Sequence, residues 1–343
     1  MAAGLYIHIP FCFSKCPYCD FYSTKYTPAA ADAFAEKLGG QMQNYTGSFD
    51  TVYFGGGTPS ILEPRVLTGI LQAVRQHFTI DPAAEITVEC NPSKDLTRDL
   101  EQYAAAGINR VSIGMQSAVD RERFALGRRA GSAEVARTVA AAKAAGITNI
   151  SLDVMLGTPK QTPDSLEETF AFIDRMQVTH ISAYLLKIEP GTPFDRLQAK
   201  LALPEEDTVC QMYLQTVERL GQLGFAQYEI SNFARPGCES RHNLKYWLLE
   251  PYLGLGPSAH SLWNGRRFYF DRNWAWQDEG SGGDREEQIL LGLRLNRGIP
   301  ESWLAHDPAP YIAGGFMRRT GDRIAFTPQG MLVSNTILAE LLD

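Results

Sequence analysis

Cys12, Cys16 and Cys19 stand in the stretch "HIPFCFSKCPYCDFYS" with C-x3-C-x2-C spacing. Thiolates are soft ligands, and a tight group of them selects zinc, copper(I) or an iron–sulfur cluster. Structural zinc wants four ligands, usually from a second C-x2-C pair, and the chain has no such pair. His8 could complete a zinc set, but it alternates with apolar neighbours in "LYIHIP" and reads as a strand residue. A [4Fe–4S] cluster can take three thiolates and leave one iron open to another ligand, so the spacing favours iron–sulfur over zinc. Cys90, Cys210 and Cys238 are scattered singly and read as plain buried thiols.

A second chemical signal is "VYFGGGTPS". Glycines at a strand end let backbone groups approach a bound amino-acid moiety where a Cβ would obstruct them. The run lacks the Lys and the helix-entry spacing of a phosphate-binding loop.

These groups need a frame to bring them together. Short apolar runs ("LYIHIP", "DTVYFGGG", "EITVEC", "RVSIGM", "NISLDVML" and "HISAYLLKI") alternate with amphipathic or alanine-rich stretches. That alternation predicts βαβ units and a parallel sheet, and six units suit an incomplete barrel. Polar or glycine residues gather where each run ends: Gly55 to Thr58, Glu89 and Asn91, Gln116 and Ser117, Asp153, and Lys187 with Glu189. In parallel barrels the ligand site is built from those ends.

The expected organisation is a barrel over residues 1–235 and a connecting segment over 236–284. The segment ends in a polar linker, "DRNWAWQDEGSGGDREEQ". A small α+β domain follows over 285–343, with a hairpin across "TGD" and a short helix.

The chain has 343 residues, 44% of them hydrophobic, and a formal net charge of -7. Such a balance is that of an ordinary globular protein and argues against a sequence-independent nucleic-acid binder. The N-terminus "MAAGLYIHIP" lacks the basic start and long apolar region of a signal peptide. No apolar run is long enough to span a membrane, so a cytoplasmic protein is expected.

The cysteine spacing, with Tyr18 before the last cysteine, resembles the radical S-adenosylmethionine (SAM) superfamily, and "YFGGGTPS" strengthens the likeness. Further stretches ("VECNP", "RVSIGMQS", "LGRR", "LDVMLGTPKQT" and "YLLKIEPGTPF") are similar to the oxygen-independent coproporphyrinogen dehydrogenase and HemW-like family over essentially the whole chain. The resemblance implies a [4Fe–4S] cluster on Cys12, Cys16 and Cys19, with SAM on the open iron. It implies SAM contacts at Tyr6, Gly56, Gly57, Thr58, Glu89, Gln116, Arg128 and Asp153, and more weakly at Lys187 and Ala259. Glu89 and Asp153 suit hydroxyl or amino donors, and the Arg128 fork suits a carboxylate.

Two marks separate the branches. The dehydrogenase branch has a fourth cysteine two positions after the third, where this chain has Phe21. In "RHNLKYW", His242, Asn243, Tyr246 and Trp247 form the H-N-x-x-Y-W motif of HemW-like proteins, whose histidine is implicated in heme binding. Imidazole is a common axial heme ligand, and aromatics pack on a porphyrin face. The competing reading is an aromatic-rich turn with a hydrogen-bonded histidine, and His260 in "GPSAHS" is a rival ligand. The chain is shorter than the HemW pattern around "NWAWQDEGSGGDREEQ" and between Gln198 and Leu203.

The resemblance therefore implies a heme chaperone, monomer or homodimer, without coproporphyrinogen dehydrogenase activity; it assigns no catalytic residue and leaves open whether SAM is cleaved. It would bind cluster, SAM and heme and deliver heme to recipient hemoproteins, free or membrane-associated. The alternative is a radical SAM enzyme that decarboxylates a tetrapyrrole.

Overall fold

In the computed structural model, which describes residues 2–342, all six expected strands form. They are β1 (Ala3–Ile9), β2 (Ser48–Gly56), β3 (Thr79–Cys90), β4 (Arg110–Gln116), β5 (Asn149–Leu156) and β6 (His180–Leu185). They pair in chain order, each parallel to the next. Helices α1 (Pro28–Met42), α2 (Pro64–His77), α3 (Thr97–Ala105), α4 (Asp120–Ala125), α5 (Ser132–Ala144), α6 (Pro163–Met176), α7 (Pro193–Leu197) and α8 (Glu206–Gln222) accompany them.

Local chemistry sets the helix ends. Thr27 caps α1 and Thr162 caps α6 with their side chains, each followed by proline at the first helical position. Helix α2 buries Val66, Leu67, Ile70, Leu71 and Val74, an i, i+3, i+4 stripe laid against the sheet. Strand residues alternate in turn. Leu5, Ile7 and Ile9 of β1 are fully buried in the apolar core, while Tyr6 between them faces a cavity.

Beyond β6 the sheet turns antiparallel through β7 (Ala226–Glu229) and β8 (Asn232–Ala234), with β8 against β6. Helix α9 (Arg241–Trp247) then leads into β9 (Tyr252–Leu255), which returns to the other edge and pairs parallel to β1. Strands β10 (His260–Trp263), β11 (Arg266–Phe270) and β12 (Trp276–Ser281) continue from β9, making one 12-stranded sheet. The stretch expected as a linker therefore contains a sheet strand. Its polar composition reflects an edge position, where β12 is mostly exposed and charged side chains guard the free edge.

Helix α10 (Arg285–Gly292) opens the last part of the chain. It contains β13 (Ile299–Pro300), α11 (Ala309–Ala313), β14 (Met317–Thr320), β15 (Arg323–Phe326), α12 (Pro328–Leu332) and α13 (Ser334–Leu342). The hairpin across "TGD" is β14–β15, and β13 completes a separate three-stranded sheet. This part rests on the barrel through a Glu229–Leu295 bridge and a 3.2 Å contact from the Tyr213 hydroxyl to the Met331 sulfur. No helix among the described residues is long and apolar enough to cross a membrane.

Candidate functional site

The C-terminal ends of the parallel strands surround a cavity of about 980 Å³. Polar residues from all five strand-end groups that the sequence singles out reach its wall, including Thr58, Glu89, Gln116, Asp153 and Lys187.

The loop after β1 brings Cys12, Cys16 and Cys19 to the same wall, half-buried and unpaired. Burial raises the pKa of the Cys19 thiol, and neighbouring Cys16 adds to the rise. No three His, Cys, Asp or Glu side chains among the described residues converge as ligands of a single ion. A set of three thiolates suits a [4Fe–4S] cluster, which can leave one iron to another ligand, better than four-coordinate structural zinc. Cys90 is buried and Cys210 and Cys238 half-buried, all three as free thiols.

The cysteine loop is tied down by His8, which the sequence left as a strand residue. Its Nε2 lies 3.1 Å from the Tyr22 carbonyl oxygen, so it donates there, and Nδ1 accepts from the Tyr6 hydroxyl at 3.0 Å. Burial lowers the pKa of His8, which keeps the ring neutral for this arrangement. The glycine run supports the loop from the other side. Gly57 N–H bonds the Ile9 carbonyl at 2.8 Å, and Thr58 N–H bonds the Phe11 carbonyl at 2.8 Å. A Cβ on Gly57 would come within 2.6 Å of the Phe11 oxygen, and one on Gly56, at φ +105, within 2.6 Å of the His8 ring. The glycines thus admit the cysteine loop itself, as well as leaving room for a ligand.

On the facing wall Glu89 accepts the Tyr53 hydroxyl at 2.9 Å, and Asp153 accepts the Ser112 hydroxyl at 2.8 Å. Burial, with Asp153 adding its charge, pushes Glu89 up to about 7, and burial also raises Asp153. Gln116 holds φ 69, in the left-handed region, at a register break between β4 and β5. Arg128 donates from Nε to the Tyr18 hydroxyl at 3.2 Å. Burial opposes its charge, but Tyr18 and Cys16 outweigh burial and hold it protonated. Lys187 sits at the rim, paired with Glu189 at 2.8 Å and largely exposed.

Two expected residues lie elsewhere. Ala259 is fully buried away from the cavity wall, and its carbonyl receives the Phe270 N–H. His260 is exposed on β10, stacked on Tyr269 and 3.2 Å from Glu279.

His242 does not reach the wall either, although Asn243, Tyr246 and Trp247 of α9 do. It is 1% exposed, with Nδ1 2.8 Å from the Thr51 hydroxyl and Nε2 2.7 Å from the Tyr246 hydroxyl. Burial, with nearby Lys245 adding to it, lowers its pKa to about 3.

Sequence reasoning missed several wall residues: Tyr53, Arg110, Ser112, Tyr184 and Glu229. A signal for two of them was present. In "RVSIGMQ" every second residue is polar or glycine, which marks a strand face turned to a polar interior.

The chain is similar to known proteins along nearly its whole length. Residues 6–173 match the radical SAM superfamily. The heme chaperone HemW of Mycobacterium tuberculosis is 34% identical over 370 residues, covering 99% of this chain and 94% of that protein. HemW of Synechocystis is 34% identical over 398 residues, covering 99% and 96%, and HemW of Bacillus subtilis is 31% identical over 374 residues, covering 98% of each. Among solved structures, Escherichia coli coproporphyrinogen III oxidase (HemN), a radical SAM enzyme, superposes with TM-score 0.83. It is 21% identical and the match covers 98% of this chain and 89% of that one, a likeness of fold.

Proposed function

Since the chain belongs to the radical SAM superfamily and, within it, to the family of HemW heme chaperones, we propose that it binds heme beside a [4Fe–4S] cluster and SAM and delivers the heme to recipient hemoproteins. The observation that carries this reading is the continuity of one cavity. Its wall runs from the three free thiols, past the strand-end carboxylates, to Asn243, Tyr246 and Trp247 of α9.

Cys12, Cys16 and Cys19 hold the cluster, and Gly56, Gly57, Thr58, Glu89, Gln116, Arg128 and Asp153 hold SAM, with Tyr6 beneath them. When bound, cluster and SAM supply one-electron chemistry. The chain's own part is to fix the thiols, present carboxylates to the ligand's donors, and shield the site from water. Heme packs against the aromatic face of α9. His242, with both ring nitrogens occupied, serves heme by orienting the Tyr246 phenol.

The test is anaerobic reconstitution followed by parallel titration with heme and SAM, scored for heme affinity and for 5′-deoxyadenosine. Saturable heme binding is expected, and its absence would sink the chaperone reading. The second reading, decarboxylation of a tetrapyrrole, draws on the fold shared with HemN. Against it stands Phe21, at the place of the fourth cysteine of the dehydrogenase branch. Protoporphyrinogen formed from coproporphyrinogen III, SAM and a reductant would favour that reading instead.

A further inference from the structure

A buried arginine without a partner stands in the cavity wall. Arg110, the first residue of β4, is 1% exposed, and its Nε is buried with no hydrogen-bond partner. The other fully buried cations among the described residues are paired, and half-buried Arg294, whose Nε is also unpartnered, still donates from Nη2 to the Asn335 side chain. Arg123 pairs with Asp120 and donates to the Ser117 carbonyl, and Lys245 pairs with both Asp50 and Glu250.

Three carboxylates that share the cavity with Arg110 already have donors. Glu89 accepts from Tyr53, Asp153 from Ser112, and Glu229 from the Ser231 N–H and the Asn232 amide. Arg110 acts on Glu89 and Asp153 only through its field, easing their ionisation without bonding them. A guanidinium buried without a bonded anion is costly, and its five donors match a carboxylate fork. The same cavity offers Tyr246 and Trp247, flat apolar surfaces suited to the face of a large ring.

We propose that Arg110 receives a carboxylate of the ligand lying against α9, and that in heme this group is a propionate. The inference rests on the heme-binding reading and adds to it the point at which the porphyrin's charged edge is held.

Cluster-loaded wild type, Arg110→Gln and Arg110→Lys are titrated with iron(III) protoporphyrin IX, with its dimethyl ester, and with SAM. Wild type should prefer the free acid over the ester by about tenfold, the worth of one charge-assisted pair. Arg110→Gln should lose that preference while keeping its affinity for the ester and for SAM. Should Arg110→Gln fail to fold, Arg110→Lys carries the test, and a reduced preference is expected because ammonium keeps the charge but not the fork. An unchanged acid-over-ester preference, or a fall in SAM affinity with heme affinity intact, overturns the assignment of Arg110 alone. A wild type that binds neither porphyrin overturns the heme reading and the propionate with it.

Discussion

The Tyr246 hydroxyl lies 2.7 Å from Nε2 of His242, and the Thr51 hydroxyl lies 2.8 Å from Nδ1 of the same ring. A neutral imidazole has one donor and one acceptor nitrogen, so both are in use. His242 links the base of β2 to the phenol on the cavity wall and has no lone pair to spare for iron in this arrangement.

His242→Ala should therefore weaken heme binding by about three- to tenfold, the worth of one lost hydrogen bond, and leave the heme absorption maximum in place. Tyr246→Phe should give a similar loss. If His242→Ala instead abolishes a low-spin imidazole spectrum, the ring turns to the iron and the positioning role is wrong.

Replacing Cys12, Cys16 or Cys19 by Ser should remove most bound iron and sulfide after reconstitution. The same change at Cys90, Cys210 or Cys238 should leave both unchanged, since none of these lines the cavity. Iron and sulfide assays with the visible spectrum decide it, and full cluster content in any of the first three variants would refute the ligand set.

Gly57→Ala tests the seat of the cysteine loop. The added methyl group meets backbone atoms, the Phe11 oxygen at 2.6 Å and the Ile9 oxygen at 2.9 Å, so it cannot be relieved by a side-chain rotation. A loss of about 1–3 kcal/mol is expected by analogy with overpacked cores, together with lower cluster occupancy. Chemical denaturation and iron content should fall together. A variant with unchanged stability and full cluster would show that the loop seat is soft.

Glu89 and Glu229 are both pushed up to about 7 by burial, against an ordinary carboxylate value of 4.5. Between those values the folded protein binds more protons than the unfolded chain, so stability falls as pH rises through the window. The contribution is full below about 4.5 and lost above about 7. The urea midpoint should be higher at pH 5 than at pH 7.5, and Glu89→Gln should flatten part of that slope. A midpoint that rises between those two pH values in wild type would contradict the assignment.

Much of the frame is legible in the sequence because it is written in local patterns. The six strand runs are short and apolar, the stretches between them are amphipathic or alanine-rich, and C-x3-C-x2-C spells its chemistry in eight residues. What escapes is non-local. Nothing near Tyr252 announces that it will pair with Gly4, and that pairing draws α9 against the inner face of β1 and β2. Once α9 sits there, the histidine of its motif is buried against Thr51 and Tyr53 rather than presented to the cavity. The polar edge strand β12 reads as a linker for a related reason: its partner strand, not its own residues, makes it a strand. Arg110 was missed because an arginine at the start of an apolar run looks like a solvated strand end until the barrel curls around it.

The parallel pairing of β9 with β1 has a mechanical meaning. The cysteine loop leaves one strand of that pair, and the aromatic helix feeds the other. Lys245 of α9 is also bonded to the Ala2 carbonyl at 3.0 Å, just before β1 begins. The two ends of the cavity are therefore mounted on one backbone-bonded ribbon, like jaws fixed to a single rail. The span between thiols and aromatics is a property of the sheet, and a ligand must match that span rather than set it.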